Sequence, residues 1–183
     1  MSVAVYVMSL PTWLAGNFRT SWGPEGAGDE APGPRRSAEE VDQVLEAFSD
    51  QLEKLLAFRP SWNEGDAVHL ASVFSLEGFS LPFQLAGQWG YRMKLPRLRA
   101  LEASQIWMPQ DFEPAIRLAP PWNPESELRL ASAPRLCGEL AQLLAAIESE
   151  DREDLIETHR VTGKLHSIAR LGIERDLPVI VES

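Results

Sequence analysis

Apolar side chains alternate onto both faces of the first ten residues. In Ser2 to Leu10 (SVAVYVMSL), Val3, Val5 and Val7 share one face and Ala4, Tyr6 and Met8 the other. Both sets are largely apolar, which predicts a strand buried on both sides, well inside a sheet. The chain closes on a similar run, Leu177-Pro178-Val179-Ile180-Val181. An apolar strand at each terminus predicts that the two are neighbours in the middle of one sheet.

Helical periodicity begins at Ser37. Ser37-Ala38-Glu39-Glu40 matches a capping box, in which hydroxyl and carboxylate satisfy each other's free backbone N–H groups. Val41, Val44, Leu45, Phe48, Leu52, Leu55 and Leu56 then follow at helical offsets, with Glu39, Glu40, Asp42, Glu46, Asp50 and Glu53 elsewhere on the surface. Pro60 disfavours helical geometry in the residue before it, so this helix is expected to end just short of it. Ser132-Ala133-Pro134 opens a second helix with Leu136, Leu140, Leu143, Leu144 and Ile147 as its buried stripe. Asp151 reads as the cap of a third, running to about Leu171 and stopping at Gly172.

The intervening segments are less regular. Trp22 to Arg36 (WGPEGAGDEAPGPRR) has no hydrophobic period and reads as a mobile loop. Asp66 to Leu76 (DAVHLASVFSL) reads as a short helix, although its β-branched and aromatic content also permits a strand. Strand-like pieces follow at Gln88 to Lys94, Ser104 to Met108, Ala115 to Leu118 and Glu127 to Ala131. Pro109-Gln110-Asp111 reads as a hairpin connection, and Ala119-Pro120-Pro121-Trp122-Asn123-Pro124 as a rigid turn. The order implies one α+β domain over residues 1–183. It has a mixed sheet of about five to six short strands, terminal strands central, packed by about three to four helices.

Composition narrows the function. The chain has 183 residues and a formal net charge of −10, which argues against general nucleic-acid binding because phosphate backbones require a basic surface. A single cysteine, Cys137, excludes an internal disulfide and suits a reducing cytoplasm. Met1 to Leu10 lacks the basic flank and length of a signal peptide, and no run approaches the ~20 apolar residues of a membrane span. The acidic helix would be repelled by anionic lipid, so no membrane association is expected.

Catalytic signatures are absent: there is no phosphate loop, dinucleotide turn, zinc helix, nucleophile elbow or paired C-x-x-C. No cofactor is expected. The histidines are His69, His159 and His166. The last two lie ~10.5 Å apart along one helix, too far to ligate one metal readily, so no metal site is expected. Placed at helical spacing, Leu155, His159, Thr162, His166 and Ile173 share an arc with Arg170 at its edge. This inward face is read as satisfied core histidines or, alternatively, as a polar pocket with one histidine as a base near neutral pH. Cys137 sits among Leu136, Leu140 and Leu144, as a buried small hydrophobe does.

Charge is unevenly distributed. Between Phe79 and Ala100 there is no acid, while Arg92, Lys94, Arg97 and Arg99 stand among Phe79, Phe83, Trp89 and Tyr91. Such interleaving can bind nucleic acid. In so acidic a chain, pairing with its own acidic helix or with a partner is favoured. Trp13, Trp22, Trp62, Trp107 and Trp122 fall in or beside loop-like or Pro-flanked segments, positions that cover core edges or anchor interfaces.

The resulting expectation is a non-catalytic, acidic cytoplasmic binding protein, in the manner of immunity proteins and inhibitors of basic toxins or nucleases. Glu39, Asp42, Glu46, Asp50 and Glu53, with Trp89, Tyr91 and Arg92, are the candidate residues for a basic protein partner. One alternative is a small enzyme whose pocket is lined by His159, His166 and Arg170. A second is a structural subunit that buries the basic–aromatic stretch. Oligomeric state stays open.

Overall fold

The computed structural model describes residues 2–16, 36–62, 70–88, 95–96, 98, 106–150 and 152–182. The protein is α+β, with one mixed six-stranded sheet. The strands are β1 (Ser2–Val7), β2 (Leu70–Ser75), β3 (Ile106–Met108), β4 (Ile116–Leu118), β5 (Leu128–Ser132) and β6 (Val179–Glu182). The helices, among the described residues, are α1 (Leu10–Ala15), α2 (Ala38–Leu56), α3 (Leu76–Gly87), α4 (Ala133–Glu150) and α5 (Ile156–Arg175).

Strand order is β2-β1-β6-β3-β5-β4, so the terminal strands are neighbours inside the sheet, as their apolar character predicts. They run antiparallel, with Tyr6 opposite Ile180. Alternation along each strand divides the core in two. Val3, Val5, Val7, Trp107, Val179 and Val181 face α3, α4 and α5, while Tyr6, Met8, Ile106, Met108, Leu130 and Ile180 face α1 and α2.

Several expectations are corrected. Residues 70–75 form β2 and helix α3 begins at Leu76, so the helical preference for Asp66 to Leu76 gives way to a strand. The pairing of Val3 with Phe74 and Val5 with Ser72 shows that tertiary contact overrides local propensity here. Pro109 to Asp111 makes no hairpin, because β3 and β4 lie on opposite sides of β5. Instead Arg135 of α4 ties this connection down through Asp111 and Glu113. The hairpin is β4–β5, closed by the proline-rich turn, where Asn123 N–H donates to Pro120 C=O and Ser126 N–H to Asn123 C=O.

Two helix ends also differ from expectation. Helix α2 stops at Leu56, three residues before the one preceding Pro60, because Ala57 turns left-handed (φ 58°) and donates its N–H to Glu53 C=O. Helix α5 passes through Gly172 to Arg175. Gly172 is a packing residue: a Cβ there would lie 2.9 Å from both Leu177 O and Val179 Cγ2. Trp107 is fully buried in the inner strand β3, and Trp13 lies in α1, a helix capped by Ser9 and closed by left-handed Gly16 (φ 66°). Glu139, on the buried stripe of α4 and only 3 % exposed, accepts the Leu98 N–H at 2.7 Å.

Two substitutions test this account. Gly172→Ala removes a poor helix former yet should destabilise by about 1–3 kcal/mol, the usual cost of overpacking, in denaturant unfolding. Exposed Ala57→Gly should stabilise by about 1 kcal/mol, the strain of a left-handed non-glycine residue, raising Tm by roughly 2–4 °C.

Candidate functional site

The acidic face of α2 is built from its N-terminus. Ser37 Oγ accepts the Glu40 N–H, and Glu40 Oε2 accepts the Ser37 N–H at 2.8 Å, completing the expected capping box. That backbone N–H holds the Glu40 carboxyl below its ordinary value. Glu39, Asp42, Glu46, Asp50 and Glu53 are all exposed. The last three follow one stripe at i, i+4 and i+7, and a single guanidinium joins them. The left-handed turn at Ala57 leads the chain back to place Arg59 Nη2 2.7 Å from Glu46, and Nη1 2.6 Å from Asp50 and 3.0 Å from Glu53. These three carboxylates, hydrogen-bonded to it, raise the Arg59 pKa further above its usual value. Glu39 and Asp42 have no ion pair among the described residues. The face is therefore divided into an internally bridged C-terminal half and an open N-terminal half. Trp89, Tyr91 and Arg92 lie outside the described residues, as does His69.

Beneath α2 lies an aromatic cluster. Phe48 stacks on Trp62 (5.7 Å, 18°) and meets Trp122 edge-on (4.9 Å, 69°), and Trp122 meets Trp13 edge-on (5.9 Å, 77°). Such pairs add directional preference to apolar burial. Two of the cluster's indole N–H groups are satisfied by side chains. Trp62 Nε1 donates to Ser49 Oγ at 2.8 Å, and Trp13 Nε1 donates to Glu182 Oε1 at 2.9 Å. Glu182 ends β6 on the same face as Ile180, beside Tyr6. Its Oε2 is buried with no hydrogen-bond partner among the described residues. Burial raises the Glu182 pKa against the opposing hydrogen bonds from Trp13 and Tyr6. Burial, and then the charge of Glu182, push the Tyr6 phenol well up. Sequence reading did not single out Glu182, because nothing in its neighbourhood along the chain shows that residues 6, 13 and 182 meet.

Of the residues of the alternative catalytic reading, His166 and Arg170 are neighbours on α5 while His159 lies apart. The buried face of α5 is Thr158, Val161, Thr162, Leu165, Ile168, Ala169 and Gly172. At helical spacing that stripe is centred roughly 100° from the arc holding His159 and His166. The expected inward face is thus rotated to the margin, and the apolar period 161-165-168-169-172 was the signal that located the true one. Leu155, part of the expected arc, belongs to a 3₁₀ turn preceding α5. His159, its side chain 43 % exposed, contacts Glu148 Oε1 at 3.2 Å. His166 is half-buried, and burial and then the Arg170 charge lower its pKa. Arg170 is exposed and pairs with Glu174 at 3.0 Å. His159 and Arg170 line two separate depressions, of 260 and 420 Å³. Cys137 is half-buried, and burial pushes its thiol up, away from the thiolate a nucleophile needs. Among the described residues, no group of three or more His, Cys, Asp or Glu is placed to hold a metal. Nor is any helix there long and apolar enough to cross a membrane.

Glu182 carries a pH prediction. With its folded pKa above the ordinary carboxylate value, the folded protein holds that proton more tightly than the unfolded chain. Its contribution to stability is present below the ordinary value and lost as pH rises through the raised one. Unfolding free energy measured against pH should show this weakly acidic loss in the native protein and lack it in Glu182→Gln. Parallel curves would remove the account. No protein-family model, curated protein or solved structure matches this chain, and its function is read from the chemistry of its own surface.

Proposed function

We propose that the protein is a non-catalytic binding protein of the cytoplasm that engages a basic protein partner through the acidic face of α2, as an inhibitor or immunity-type protein does. The observation that carries this reading is the exposed carboxylate row on α2, with Glu39 and Asp42 open and Glu46, Asp50 and Glu53 drawn together by Arg59. A row of one sign on a rigid helix steers an oppositely charged partner and fixes its orientation more than it sets final affinity. The aromatic cluster beneath it supports this use, because Phe48 anchors the helix from below while the carboxylates stay in water. The same field disfavours nucleic-acid backbones and anionic lipid. The separation of His159 from His166 and Arg170 supports binding over catalysis.

The test is affinity capture from native lysate at low and high salt, with Glu39→Lys/Asp42→Lys alongside. A basic protein held at low salt, released at high salt and not held by the variant is expected. With that partner purified, charge reversal should slow association by about tenfold, in line with electrostatic steering. Arg59→Gln, which frees three carboxylates, should quicken it. Equal retention by both forms, or no protein recovered at low salt, overturns the reading.

A further inference from the structure

A groove of 420 Å³ lies between α5 and the strand β2, lined by Ser72, Lys164, Ser167, Ile168, Arg170, Leu171 and Glu174. Among the described residues β2 is the edge strand, and α5 overhangs it with the stripe 164-167-168-171 above the small side chain of Ser72. Ile168 and Leu171 supply apolar wall, and the volume is that of sites for small organic molecules.

Its polar groups are arranged for negative charge. Ser72 is 7 % exposed, on the same face as Val5 and Phe74, and its hydroxyl has no hydrogen-bond partner among the described residues. A nearly buried hydroxyl without a partner retains an unmet donor and has its remaining access to the groove. Lys164 has no carboxylate partner among the described residues, and its Nζ sits 4.7 Å above the centre of the Phe74 ring. That cation–π contact holds the ammonium at the groove without neutralising it. Arg170 adds a second cation, tethered to Glu174 at 3.0 Å. Ser167 donates its hydroxyl proton to Gly163 C=O and so offers no donor. The groove thus holds two cations, one carboxylate and one free hydroxyl donor, in a protein whose net charge is −10.

We propose that this groove is a binding site for a small organic anion, a carboxylate or phosphate on an apolar body. The anionic group lies between Lys164 and the Ser72 hydroxyl, and the body rests on Ile168 and Leu171. The site is independent of the α2 surface and of any protein partner there.

The test is titration of the full chain with phenyl phosphate, 3-phenylpropionate and neutral benzyl alcohol, followed by amide NMR shifts. Saturable shifts at Ser72, Lys164, Ser167 and Leu171 with one or both anions are expected, and which anion binds more tightly distinguishes phosphate from carboxylate. Benzyl alcohol should bind at least about tenfold more weakly, as should the preferred anion to Lys164→Gln and to Ser72→Ala, the loss of one charge-assisted hydrogen bond. Both variants are checked by thermal unfolding, and Ser72→Ala alone decides the matter if Lys164→Gln does not fold. Absence of shifts at millimolar anion, equal binding of benzyl alcohol, or anion binding unchanged in a folded variant overturns the proposal.

Discussion

The pairing of β1 with β6 is the constraint on which the rest of the structure depends. The strands are antiparallel, with Val7 opposite Val179 and Ala4 opposite Glu182. Both are covered on both faces, so any shift of register by one residue would exchange the two cores. The close of α5 is set by this pairing. Only a glycine at 172 lets the helix approach Leu177 and Val179 closely enough for β6 to re-enter the sheet at once. The same geometry delivers Glu182 to the face where Tyr6 and Trp13 wait.

Around this centre the surface charge is organised on helices rather than spread. On α2 the carboxylates face water, and Arg59 draws three of them together without neutralising the row. On α5 the outward residues pair locally, Arg160 with Glu157 and Arg170 with Glu174. Lys164 instead rests on Phe74. The two helices therefore present different chemistry on opposite layers of the sheet: an acidic row, half of it bridged by Arg59, over one core, and a groove with two cations over the other. A single net charge conceals that contrast, because it averages over faces that no partner can touch together.

Much of the local structure was legible in the chain. The capping box at Ser37, the apolar stripe of α2, the α4 stripe and the two terminal strands all follow from periodicity and short-range chemistry. The errors share a cause. Local sequence favours a helix at β2 because its neighbour β1 is some seventy residues away along the chain, and only that neighbour makes the extended form favourable. Gly172 looks like a helix end in the sequence because its real reason, contact with Leu177 and Val179, is made by the chain beyond it. His159 and His166 drew attention as polar residues at helical spacing, while the apolar period beside them was the better guide to the buried face.

By itself the sequence determined the elements whose stabilising contacts lie within one or two turns: caps, amphipathic stripes, the proline-rich turn and the doubly apolar strands. It also determined the acidic sign of α2. Tertiary structure alone decided which distant residues share a site. Arg59 on the α2 row, Glu182 against Trp13 and Tyr6, Glu139 against Leu98, and Ser72 beneath α5 are all such meetings. The physical reason is that local hydrogen bonds and hydrophobic periodicity act over a few residues. Burial and electrostatics instead act over ångströms in space, and those distances exist only once the sheet has closed around β1 and β6.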